Sequence, residues 1–216
     1  MSARLRAATA RKFGWHFTGP LLRDGSPLPP VGKWEVFKGT LSMCNSGLHV
    51  GITPWNALQY APGEMLRLVE YADVGETQAD KIVCARRRTI AQMDATEMLR
   101  YFARLQAISC IDRWSSDPPD VVLDYLATGN EELRDAAGAA ARDAAWDAAR
   151  DAAWDSAWVA ARDAARDAAR DAARDAAGVA ARDAAWDSAW VAAGQEFNVL
   201  VYECFEGPMR EVGFKP

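Results

Sequence analysis

The chain is short of the residues that make metal and thiol chemistry easy to read. Its 216 residues include two histidines, His16 and His49, and four cysteines, Cys44, Cys84, Cys110 and Cys204, with no C-x-x-C pair among them. That scarcity disfavours a zinc site, and no cofactor is specified. Reduced thiols and a basic start, Met1 to Lys12, without the apolar core of a secretion signal lead to the expectation of a cytoplasmic protein. The net charge of −5 favours no particular partner. No decisive catalytic signature is present, and the length suits one globular domain plus an extension.

What the chain does have is a repeat. From Arg134 to Ala193 a four-residue unit, as in Arg162-Asp163-Ala164-Ala165, recurs fifteen times without a slip. Ala is the strongest helix former and the run holds no proline, so a continuous helix of roughly 90 Å is sterically available. A charge in nearly every turn rules out a membrane span, and the excess of Asp over Arg disfavours a nucleic-acid track. A four-residue period overshoots the helical turn, so each tetrad advances by about 40° and the Ala seam winds around the helix. On an unbroken helix Trp146, Trp154, Trp158, Trp186 and Trp190 share an arc of roughly 120°, which predicts a buried face, while Arg162 to Arg174 stay wet. Twelve residues recur at 150–161 and 182–193, so the Trp pairs reflect one duplication. After the repeat, Phe197, Leu200, Val201, Cys204 and Phe205 follow an amphipathic helical spacing. That apolar face needs cover, either because the repeat doubles back or because another chain supplies it.

Residues 12–112 read as a compact α+β head. β-prone stretches occur at Phe13–Thr18, Trp34–Leu41, Leu48–Ile52, Leu66–Tyr71 and Ile82–Arg87, separated by turns such as Asp73-Val74-Gly75. Helices are expected from Pro54 to Tyr60, capped by Thr53, and from Asp94 onward, with Met98, Leu99, Phe102 and Leu105 as core. A further helix, Asp120 to Leu126, follows Pro118 and Pro119. The expected organisation is a head at 1–112, a connection at 113–130, the tetrad helix at 131–193, doubled back or oligomeric, and a C-terminal amphipathic helix and tail at 194–216.

Two segments carry candidate chemistry. In Cys44-Asn45-Ser46-Gly47-Leu48-His49-Val50-Gly51 small residues flank a histidine, followed by the turn Tyr60-Ala61-Pro62-Gly63. His49 would donate a proton or orient a ligand, with Cys44 as a nearby thiol and Glu70 or Lys81 as a charged partner. Alternatively His49 is tied into the sheet by hydrogen bonds and the cysteine is buried and inert. The expectation is a shared concave site for His16 and His49, where glycines and small residues let a ligand approach. Arg86-Arg87-Arg88 with Asp80-Lys81 would either meet phosphate or form a solvated strand edge.

The second segment, Trp15-His16-Phe17-Thr18, resembles the H-x-T strand of ADP-ribosyltransferases. That resemblance implies that His16 and the Thr18 hydroxyl hold a nicotinamide dinucleotide, with Glu70 or Glu203 stabilising an oxocarbenium ion. A broader resemblance covers nearly the whole chain. Trp15-His16-Phe17-Thr18, Leu22-Arg23-Asp24-Gly25, Cys44-x-x-Gly47-Leu48-His49, Ala57-Leu58-x-Tyr60-Ala61-Pro62-Gly63, Val69-Glu70 and Asp80-Lys81 with the Ala tetrads resemble an uncharacterised family of bacteriophage and prophage proteins. It implies a bacterial host cytoplasm and a head acting together with its repeat. The expected protein is a binding or assembly factor, a homo-oligomer through the helical region, taking a nucleotide-like small ligand and no membrane. The candidate binding residues are His16, Thr18, Cys44, His49, Tyr60, Glu70 and Lys81.

Overall fold

The computed structural model describes residues 11–22, 25–109, 111, 117–144 and 188–216, a mixed α+β protein. Five antiparallel strands, β1 (Lys12–Thr18), β2 (Trp34–Val36), β3 (Leu48–Gly51), β4 (Met65–Thr77) and β5 (Lys81–Asp94), make one sheet. β1 pairs with both β3 and β4, and β5 pairs with both β3 and β4, so these four strands close into a ring. β2 joins the same strand, β5, alongside Arg86 to Arg88. Closure pairs β1, β3, β4 and β5 each with two neighbours, which limits the free edges that are the usual hazard of a small sheet, while β2 pairs with β5 alone.

Between β3 and β4 lies α1 (Pro54–Leu58), whose start is fixed locally. The Thr53 hydroxyl accepts from Asn56 N while the Asn56 side chain accepts from Thr53 N, a reciprocal cap that satisfies two otherwise orphaned donors. α2 (Thr96–Ser109) begins where the Asp94 carboxylate accepts from both Thr96 N and its hydroxyl. Of the four side chains expected to be its core, Phe102 is buried and Met98, Leu99 and Leu105 are half-buried.

Several strands are longer or shorter than their sequence signals. Asp73-Val74-Gly75, expected to be a turn, lies inside β4. Asp73 takes a left-handed φ of 55° and the register with β5 shifts between Val74 and Thr77, so the turn chemistry makes an irregularity in a long strand instead of ending it. The Trp34–Leu41 strand shortens to Trp34–Val36.

The chain divides into two compact units, residues 1–98 with 194–216, and residues 99–193. In the first, residues 194–204 belong to a helix, α5 (described over 188–204), that is followed directly by α6 (Glu206–Val212). The Trp15 ring meets Phe205 edge-on at 5.1 Å and lies 5.9 Å from Tyr202 and 6.4 Å from Phe214. Phe197, at 5.8 Å from Trp55, is fully buried, as are Val201 and Phe205. Trp55 N donates to the Asn198 side chain at 2.8 Å. The apolar face of 197–205 is thus covered by β1 and α1 of its own chain. Cys204, which shares the sequence pattern, is exposed.

The second unit contains most of α2, α3 (Asp120–Thr128), a 3₁₀ turn at Glu131–Leu133 and α4, helical over 134–144. α3 ends at Gly129, whose φ of 67° is the left-handed cap that favours glycine. Glu131 pairs with Arg100 and Arg134. Residues 134–144 and 188–193, the two ends of the tetrad array, are helical, and its centre lies outside the described residues. So do Trp146, Trp154, Trp158, Trp186 and Arg162 to Arg174. Trp190, expected to be buried, is 45 % exposed in the chain. Among the described residues no helix is long and apolar enough to cross a membrane.

Candidate functional site

Strand register sorts the head's polar residues onto two faces. Directly opposed residues of an antiparallel pair share a face, and alternate residues of a strand do too. Trp15 opposes Leu68 and Phe17 opposes Leu66, which makes the apolar face that receives Phe205. His16 opposes Arg67 on the other face, with Gly14 and Thr18 to either side of it along β1. Val69 and Tyr71 continue that face along β4 and oppose Thr89 and Arg87 of β5, and Arg87 in turn opposes Glu35 of β2. His16, Thr18, Arg67, Arg87, Thr89 and Glu35 are therefore brought to one face by pairing alone. Gly14 has a packing reason on the same face: a Cβ there would stand 2.5 Å from Val50 Cγ1 and 2.7 Å from the Gly51 carbonyl oxygen.

This cluster is buried and unevenly paired. The Arg87 side chain, 4 % exposed, donates to Glu35 Oε2 at 3.0 Å and to the His49 carbonyl at 2.7 Å. The Arg67 side chain is fully buried and stands 4.0 Å from Glu35 Oε1. Arg67 Nε, Nη1 and Nη2 are all buried without a hydrogen-bond partner, and so are Arg87 Nε, Glu35 Oε1 and the hydroxyls of Thr18 and Thr89. Each such group costs about 1–3 kcal/mol, more when charged. Burial pushes the Arg67 guanidinium below its usual range, with Glu35 opposing and Arg87 reinforcing the shift.

His16 is held neutral in this setting. Burial lowers its pKa well below the ordinary imidazole value, and Arg87, Arg67 and His49 add to the effect. His49 is also lowered, by burial first and then by Arg87 and Lys81. Both shifts leave the folded protein with fewer bound protons than the unfolded chain, whose imidazoles titrate near about 6.5. Stability is therefore complete above that value and is lost as pH falls below it. Denaturant midpoints should drop between about pH 7 and pH 5, and His16→Gln should flatten the drop. A wild-type midpoint that stays level over this range would show that His16 protonates freely in the fold.

His49 is turned toward a second group. Its Nε2 accepts from Cys44 N at 3.0 Å, which stabilises Cys44 at its left-handed φ of 63°. Lys81 Nζ donates to Tyr60 OH at 3.0 Å, lies 4.1 Å over the Tyr60 ring, and is held protonated by bonds to Tyr60 and then Cys44. Tyr60 OH donates to Asp80 Oδ2 at 2.6 Å. Cys44, His49, Tyr60 and Lys81 thus gather at an exposed rim, joined to the buried cluster through Arg87. Cys44 and Cys84 are free thiols, and burial pushes the Cys84 thiol up to about 11.

Glu70 belongs to neither group. It opposes Phe13 on the Trp15 side of β4, where Arg11 and Arg88 both donate to Oε2, at 2.8 and 2.7 Å. Although burial acts the other way, those bonds hold its carboxyl below the usual range. Glu203 is exposed on α5. The arginine run is not a solvated strand edge, because β5 is paired on both sides there, with β2 and β4. Arg86 is exposed beside Asp73, Arg87 is buried, and Arg88 turns to Glu70 and lies 4.9 Å over the Trp34 ring. Arg67, Glu35 and Thr89 were not among the sequence candidates. Two apolar clefts, of about 540 Å³ beside Val122 and Ala137 and about 520 Å³ beside Tyr202 and Met209, are lined by none of these residues.

No protein-family model, curated protein or solved structure matches this chain.

Proposed function

We propose that the head is a binding module for a small anionic, nucleotide-like ligand, and that the helical repeat sets its reach or its oligomeric state. The observation that carries this reading is the buried excess of cationic donors at Arg67 and Arg87, balanced by one carboxylate, Glu35. Buried donors of this kind favour recognition of an anion. Catalysis is less well served. The neighbouring carboxylate is engaged by Arg87, and Glu70 is clamped by Arg11 and Arg88 on the opposite face from His16. An ADP-ribosyltransferase-like enzyme keeps one supporting feature, the shared face of His16 and Thr18, but Glu35, the glutamate on that face among the described residues, is tied to Arg87 through Oε2.

The motif resemblance supports a bacteriophage or prophage setting, in which a head that binds without turning over would act as a decoy or sponge for a host defence signal. A purely structural spacer would have no need of a buried arginine cluster. A thermal-shift screen of the full chain against mono-, di- and cyclic nucleotides tests this. The expected result is a raised melting temperature with at least one of them, the nucleotide being recovered unchanged. Consumption of the nucleotide would make the protein an enzyme, and no shift with any of them would remove the binding reading.

A further inference from the structure

We infer that Arg67, flanked by His16, Thr18, Arg87 and Thr89, is the receptor for one singly charged oxyanion group, either a phosphodiester or a carboxylate. This deepens the binding reading above and rests on it. The argument begins with donors. Every nitrogen of the Arg67 guanidinium is buried and without a hydrogen-bond partner, although the side chain is fully removed from solvent. Drawing Glu35 in from 4.0 Å would satisfy one of its N–H groups and leave the rest. Arg87 Nε and the hydroxyls of Thr18 and Thr89 are further groups without a partner, and Glu35 Oε1 is the one carboxylate oxygen of the cluster left without one.

Charge then sets the ligand class. Two buried arginines and one buried glutamate leave a single positive charge, since His16 and His49 are neutral there. A monoanion cancels it. A doubly charged phosphate monoester would leave an uncompensated negative charge in a buried site, which is strongly unfavourable. Guanidinium geometry suits an acceptor with two coplanar oxygens, which both phosphodiesters and carboxylates present. His16, half-buried beside Arg67 on β1, marks the more accessible side of the cluster.

The test is urea denaturation of the full chain in dimethyl phosphate or in acetate, each against chloride at equal ionic strength, for wild type, Arg67→Met and Arg67→Lys. Wild type should be stabilised by one of the two anions, which identifies the source of the group. Arg67→Met should be at least as stable as wild type in chloride and should bind that anion at least tenfold more weakly. Arg67→Lys, which keeps the charge without the fork, should fall between them. Failure of both anions to stabilise wild type overturns the inference, whatever the variants do. If nucleotides stabilise Arg67→Met as well as wild type, the binding head survives and this site does not. If neither the anions nor any nucleotide stabilises wild type, both fall.

Discussion

Ending the chain after Ala193 is expected to leave a head that does not fold stably. Residues 194–216 contribute Phe197, Val201, Phe205 and Met209, all buried, to the unit that contains the sheet. Burying side chains of this size stabilises by about 1.5–3 kcal/mol each. Their joint loss is comparable with the whole stability of a typical domain, about 5–15 kcal/mol. The truncation would also strip cover from Trp15, whose ring packs against Phe205, Tyr202 and Phe214. Circular dichroism and amide exchange should show loss of the sheet's protection. A truncated head with native exchange protection would mean that the C-terminal helices are an accessory.

Trp15→Ala attacks the same seam from the other side. Trp15 is fully buried, and truncating a core aromatic costs about 3–5 kcal/mol. The effect should be uneven. β1 keeps its pairing with β4 through backbone hydrogen bonds, while Tyr202 of α5 and Phe205 and Phe214, which flank α6, lose the ring they rest on. Trypsin should then cut near Arg210, in α6, faster than it does in wild type. A loss of under 1 kcal/mol, with α6 still protected, would show that Trp15 does not hold the C-terminal helices, since even partial cavity collapse leaves about 2 kcal/mol or more.

What could be read in the sequence was what local chemistry decides. The Thr53-Pro54 start of α1, the β1 and β3 strands and the amphipathic spacing after the repeat each depend on a few neighbouring residues, and each appears in the fold. The need to cover Phe197, Val201 and Phe205 was also legible. The cover itself, Trp15 and Trp55, was not, because it lies far away in sequence. The same reason hid half of the candidate site. His16, Cys44 and His49 were marked by rare residue types and small neighbours, Thr18 by the H-x-T resemblance, Tyr60 by its turn and Lys81 as a charged partner for His49. Arg67 stands between Leu66 and Leu68, an alternation that by itself fits the polar side of a half-exposed strand. One signal was available: Val69 and Tyr71 follow Arg67 at alternate positions, so that side of β4 is apolar as well. Arg86-Arg87-Arg88 read either as a phosphate-meeting cluster or as a solvated strand edge, and it was pairing on both sides of β5 that separated the buried Arg87 from its exposed neighbour Arg86.

The central claim is that the head receives an anion at Arg67, and a crystal structure of the full chain, grown with whichever of dimethyl phosphate or acetate raises the denaturation midpoint, tests it most directly. The account predicts two anion oxygens within hydrogen-bond distance of the Arg67 guanidinium, with Arg87 still held by Glu35 and the His49 carbonyl. Density showing the Arg67 guanidinium fully satisfied by Glu35 and ordered water, with the anion elsewhere or absent, would contradict it.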